Sequence, residues 1–142
     1  MRLISGVSRR LVQTSALLLL LSGCGRSDVD FPVTLVTGTV TYKGQPLNSG
    51  TITFVPDDES LRGASGLIDD SGYYLLKTSQ SVEGIMPGRY KVRLESWTRE
   101  PTMKRAGERA IPSKYENLKL SGLTAVVEPD VEEQTVDFAL SD

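Results

Sequence analysis

Few side chains in this sequence combine the type and spacing needed for chemistry. The acidic groups Asp57-Asp58-Glu59 and Asp69-Asp70 carry the oxygen ligands that a hard cation such as calcium takes. Neither follows the spacing of an EF-hand loop. The first reads equally as a solvated loop and the second as the start of a hairpin turn, so no metal site is expected. Glycoside hydrolysis needs two carboxyl groups held about 5 to 9.5 Å apart across a cleft, which a compact β domain of this size rarely provides. The chain has no histidine and a single cysteine. Ser-His and Cys-His nucleophilic pairs are therefore excluded, and no enzyme and no cofactor are expected.

The remaining candidates concern recognition. Residues 90–97 alternate, with Tyr90, Val92, Leu94 and Ser96 on one side and Lys91, Arg93, Glu95 and Trp97 on the other. Trp97 is thus directed to the polar side, at the mouth of an irregular stretch, residues 99–109. Two uses stay open for it: stacking on a sugar or a partner's side chain, or covering the sheet beneath the insertion. Around it Arg89, Lys91, Arg93, Arg99, Lys104, Arg105 and Arg109 outnumber Glu95, Glu100 and Glu108 by seven to three. Trp97, Arg99, Lys104, Arg105, Arg109 and Tyr115 form the candidate binding surface. Residues 128–142 hold six acids and no base. This polarity suits an acidic partner, although such charges also serve to solvate strand faces and edges.

The amino terminus gives an address. Arg2, Arg9 and Arg10 precede an apolar run at residues 11–21, too short for a stable membrane span and suited to an export signal. The run ends in Leu21-Ser22-Gly23-Cys24, which resembles the lipobox of bacterial lipoproteins. The resemblance implies cleavage before Cys24, a diacylglycerol on its sulfur and an acyl chain on its amine. Two or more chains hold a protein stably on a bilayer. Gly25 is not the aspartate that marks inner-membrane retention in well-studied diderm bacteria, which favours the outer membrane. The lone thiol is then consumed by the anchor. Residues 24–142 retain 13 basic and 18 acidic residues, a net charge of −5, a poor match for nucleic acid.

Which elements position these residues? Residues 24–33 read as a tether and residues 34–142 as one domain. Residues 34–42 alternate, with Val36, Val40 and Tyr42 inward. Lys43-Gly44-Gln45-Pro46 turns the chain and Leu47 plugs it. Ile52 and Phe54 face the core from a strand that Pro56 stops. Residues 64–68 and 73–77 are expected to pair as a hairpin across Asp69-Asp70-Ser71-Gly72. Pro87-Gly88 sets a tight corner from which the 90–97 strand departs, with the Tyr90 hydroxyl bonding nearby backbone. Ile111-Pro112-Ser113-Lys114-Tyr115 makes one short turn that lays Ile111 and Tyr115 on the domain. Residues 123–128 and 134–140 are expected to close the sheet as a final hairpin. The pattern predicts an all-β, seven-stranded antiparallel Greek-key sandwich.

Four motifs in order carry a further likeness: Val36-Thr37-Gly38-Thr39-Val40-Thr41 before Lys43-Gly44-Gln45-Pro46-Leu47, then Gly50-Thr51-Ile52-Thr53-Phe54, then Asp70-Ser71-Gly72-Tyr73-Tyr74, then Pro87-Gly88-Arg89-Tyr90. This resembles the carboxypeptidase regulatory-like domain of the transthyretin (prealbumin) superfamily. The tail motifs Ile111-Pro112-Ser113-Lys114-Tyr115 and Ser121-Gly122-Leu123-Thr124 are similar to short bacterial lipoproteins carrying that domain alone. The resemblance implies a prealbumin-like fold and no particular reaction. Transthyretin-like hydroxyisourate hydrolases use histidines and a tyrosine-arginine-glycine-serine terminus, whereas this chain lacks histidine and ends Ala139-Leu140-Ser141-Asp142. The expectation is a non-enzymatic envelope lipoprotein, anchored in membrane lipid through Cys24 and presenting its sandwich to a protein partner. The alternative is a cell-surface carbohydrate-binding module built on Trp97 and the basic insertion.

Overall fold

The computed structural model describes residues 31–142, so Cys24 and the preceding signal lie outside the described residues. The chain is all-β. Its strands are β1 (Leu35–Tyr42), β2 (Gln45–Pro46), β3 (Gly50–Pro56), β4 (Ala64–Ile68), β5 (Tyr73–Leu75), β6 (Lys77–Ser79) and β7 (Val82–Glu83). There follow β8 (Gly88–Glu95), β9 (Trp97–Arg99), β10 (Glu108–Arg109), β11 (Leu123–Val127), β12 (Glu133–Thr135) and β13 (Phe138–Leu140). One turn of 3-10 helix, Ser113–Glu116, precedes β11. Among the described residues no helix is long and apolar enough to cross a membrane.

The larger sheet runs β11-β8-β3-β4-β6-β7 and is antiparallel throughout. Its longest strand is β8, paired over six residues to β3 and over five to β11. The alternation of residues 90–96 explains why: Tyr90, Val92, Leu94 and Ser96 are all buried. Each fully buried large apolar side chain is worth about 1.5–3 kcal/mol, so the inward face fixes the register. The corner before it forms as expected. Gly88 has φ 155°, and the Tyr90 hydroxyl donates to the Met86 carbonyl at 2.8 Å.

The second sheet is built on β1, and it departs from the sequence expectation. β12 and β13 lie along β1 in parallel, with Thr37 beside Thr135 and Val40 beside Phe138. Residues 123–128 and 134–140 therefore do not form a hairpin; β11 stays in the larger sheet and the last strands cross to the other. On its opposite side β1 pairs antiparallel with β5 and β2.

Thirteen strands stand among the described residues where seven were expected: two expected strands are interrupted, and β2, β7, β9 and β10 are short additional ones. Leu76 is fully buried and its N–H donates to the Val36 carbonyl at 2.9 Å. The chain changes sheets around it, β5 joining β1 while β6 joins β4. The turn at residues 69–72 does close, with the Asp69 N–H bonded to the Tyr73 carbonyl, but β5 takes its ladder from β1. Between β12 and β13 the backbone breaks at Asp137, whose carboxylate accepts the Thr39 N–H at 2.7 Å in place of a carbonyl.

Both sheets face one core, where Phe54 lies about 6 Å from the rings of Tyr74, Tyr90 and Phe138. Leu47, Ile52 and Phe54 are inward as expected, whereas Tyr42 is only partly buried and its hydroxyl donates to Asp142. The Tyr74 hydroxyl donates to the Val136 carbonyl, and burial pushes its phenol above the ordinary tyrosine value. Gly38 is required at this crossing, since a Cβ there would collide with the Val136 carbonyl.

Candidate functional site

Topology separates the molecule into two ends. The chain enters at Thr34, buried and bonded both ways to the backbone of Ile85, with its hydroxyl donating to the Val131 carbonyl at 2.9 Å. From there β1 and β8 both run toward the opposite end. At about 3.3 Å per residue, the eight residues of β8 span about 26 Å. Beyond that far end stands the segment that the sequence suggested as irregular.

It is a hairpin. β9 and β10 pair with a register shift at Glu108 and Arg109, and Thr102 and Arg105 close its tip by reciprocal backbone bonds of 2.9 and 3.3 Å. The absence of an apolar period reflects a hairpin with almost no inward face. Its base is fixed by Ser96, fully buried, whose hydroxyl donates to the Ser49 carbonyl at 2.7 Å while its own carbonyl accepts the Ala110 N–H.

Trp97 is half-buried inside this hairpin. The Arg109 guanidinium lies 4.7 Å from its ring. A Cβ on Gly107 would come within 2.7 Å of the indole and 2.8 Å of Pro101, so glycine is what lets the hairpin close over it. The ring thus packs within its own hairpin, against Gly107, Pro101 and Arg109. Arg109 also makes two hydrogen bonds to Glu116, which raise its pKa and hold it charged. Arg99 pairs with Glu108 at 3.4 Å. Both arginines are thus occupied, Arg99 within the hairpin and Arg109 by the 3-10 turn.

Lys104 and Arg105 differ. They are exposed at the tip beside Met103, which is fully exposed, and neither makes an ion pair among the described residues. Tyr115 does not share this surface. It is 5% exposed, because the 3-10 turn drops it onto the core and its hydroxyl donates to the Ser141 carbonyl at 2.8 Å. The structure therefore brings Trp97, Arg99, Lys104, Arg105 and Arg109 together and sets Tyr115 apart.

The carboxylates named in the sequence have structural uses. Asp69 accepts from the Ser71 hydroxyl and from the N–H groups of Ser71 and Tyr73, which holds its pKa down. Asp58 accepts from the Ser60 N–H, with the same effect. No cluster of three metal-ligating side chains occurs among the described residues.

Sequence reasoning missed a second surface. A groove of about 620 Å³ runs over the outer face of β4, β5 and β6, with Leu67 and Tyr73 on its walls. Leu67 is 78% exposed and Tyr73 is 43% exposed. The signal was present: Leu67 falls on the outward parity of Ala64–Ile68, where an aliphatic residue has no core to enter.

No family model, no curated protein and no solved structure matches the chain.

Proposed function

We propose that the protein is a non-enzymatic lipoprotein of the cell envelope, anchored through Cys24, which presents the β9–β10 hairpin to an acidic groove on a protein partner. The single observation that carries the reading is the placement of that hairpin. It stands at the end of the domain opposite the entering chain at Thr34, with Met103, Lys104 and Arg105 open at its tip. A lipid at Cys24 would hold the opposite end near the bilayer and direct this tip away from it. An apolar side chain flanked by two free cations suits a partner that offers a pocket within an acidic rim. The loops at the entering end, with Asp57, Asp58, Glu59, Glu128, Asp130 and Glu132, are acidic and favour standing off an anionic surface.

The fold we assign is the seven-stranded, transthyretin-like sandwich of the carboxypeptidase regulatory-like type. Support comes from counting β5–β6 and β12–β13 as single strands interrupted at Leu76 and Asp137. With β1, β3, β4, β8 and β11 they make seven, and β2, β7 and the β9–β10 hairpin become additions. The Tyr90–Met86 corner bond fits this assignment. The missing histidine supports a non-catalytic role.

The test is a crosslinking capture from native envelopes with the full chain as bait. Cys24→Ala serves as the unanchored control, and Lys104→Glu/Arg105→Glu tests the tip. One stoichiometric protein captured by the native chain and lost with the charge-reversed tip is expected. Equal capture by the reversed tip would sink the hairpin reading. An intact mass that retains residues 1–23, or lacks acyl chains, would sink the anchor.

A further inference from the structure

The groove over β4, β5 and β6 is distant in kind from the hairpin: it is concave, mostly apolar and almost free of uncommitted charge. We infer that it binds a neutral, hydroxyl-rich glycan, which lies across Tyr73 and Leu67.

The site follows from register. Ser65 pairs with Lys77, and the Asp69 N–H bonds to the Tyr73 carbonyl, so Leu67 stands opposite Leu75. Alternation then puts Ser65, Leu67 and Asp69 on the same outer face as Tyr73, Leu75 and Lys77. Gly66 lies beneath. A Cβ there would come within 2.6 Å of the Leu75 carbonyl, so glycine allows the two strands to close into one floor. The result is an apolar platform with one aromatic ring, bordered by the hydroxyls of Thr51, Ser65 and Ser79 and the amide of Gln80. Its volume of about 620 Å³ falls within the range of small-ligand sites.

Charge selects the ligand class. The only two charged side chains lining the groove are already used. Lys77 pairs with Glu83 at 2.9 Å, and the Asp69 carboxylate accepts three hydrogen bonds from its own turn. An anionic or cationic ligand would have to compete with these partners for its counter-charge. A hydroxyl border around an aliphatic and aromatic floor matches a pyranose, which has a C–H face and a hydroxyl edge. An apolar peptide would leave the hydroxyl border poorly paired.

The inference does not rest on the anchor or on the hairpin. The full chain, purified in detergent, would be run through native gels containing soluble starch, a mixed-linkage β-glucan or a galactomannan, with polygalacturonate as the acidic comparison. Retardation by at least one neutral polymer and not by polygalacturonate is expected. Tyr73→Ala and Leu67→Glu should each weaken it about tenfold or more, whereas Tyr73→Phe keeps the stacking ring and should retain it. Both altered side chains are exposed, so thermal unfolding should stay close to that of the native chain. Lys104→Glu/Arg105→Glu should leave the retardation unchanged. Four results would overturn the site: no retardation by any neutral polymer, full retention by either groove variant, stronger retention by polygalacturonate, or loss on reversing the hairpin charges.

Discussion

Tyr90 and Met86 are joined across the corner that starts β8, the phenol donating to the carbonyl at 2.8 Å. Tyr90 is 1% exposed and Met86 is partly buried, so the bond lies at the margin of the core. Replacing Tyr90 by Phe keeps the ring against Phe54 and removes only the bond. The expected cost is about 1–2 kcal/mol, read as a lower midpoint in urea with unchanged slope. An unaltered midpoint would mean that the corner is held by packing alone.

The same residue predicts alkaline behaviour. Burial pushes the Tyr90 phenol from its ordinary 10.0 up to about 12. The folded state then holds a proton that the unfolded chain releases, so stability is full below pH ~10 and declines as pH rises toward ~12. Tyr74, raised by the same cause, adds to the loss. Urea midpoints measured across this interval should fall for the native chain and less steeply for Tyr90→Phe. A flat profile would contradict the burial of both phenols.

Gly107→Ala tests the cover over Trp97, the one tryptophan of the chain. The added Cβ meets the indole at 2.7 Å and Pro101 at 2.8 Å, so the ring must leave its place under Arg109. Red-shifted emission and stronger quenching by acrylamide are expected. Global stability should change by less than about 1 kcal/mol, because the hairpin lies outside the core. Unchanged emission would show that the hairpin yields instead of the ring.

Gln134 ties the two sheets at one edge. Its amide donates to the Val126 carbonyl at 2.7 Å, and its side-chain oxygen accepts the Glu128 N–H at 2.9 Å. Strand β11, Leu-Thr-Ala-Val-Val, has no charge or proline to discourage edge pairing. Gln134→Ala should therefore cost about 1–2 kcal/mol and produce concentration-dependent self-association in sedimentation velocity. A strictly monomer-like profile at high concentration would assign edge protection to some other feature.

What could be seen in the sequence was whatever a side chain's own parity decides. Tyr90, Val92 and Leu94 declare an inward face, and Ile52 and Phe54 declare its neighbour. Residues 73–76, Tyr-Tyr-Leu-Leu, form a continuous apolar run, so nothing local marks Leu76 as the place where the chain leaves one sheet for the other. The parallel placement of β12 and β13 was equally hidden, because a strand's direction relative to its partner leaves no trace in its own alternation. Tyr115 was legible as a residue that lands on the domain, but its burial depends on Ser141, distant in sequence. The β9–β10 hairpin lacked both an apolar face and a glycine at its tip. Leu67 was visible as an aliphatic residue on the wrong parity, and only the closeness of Tyr73 and Leu75 gives that anomaly a meaning.

The parallel union of β1 with β13 sets an order of events. Val40 meets Phe138, and the Thr39 N–H meets Asp137, 98 positions later. A chain growing from its amino terminus cannot complete the first strand's sheet until Phe138–Leu140 have emerged. Hairpins such as β3–β4 close early and locally, but the Val36–Val40 ridge waits. The polypeptide therefore stays without its final fold until these residues are made, and an unsettled chain is one that can still be threaded through a narrow pore.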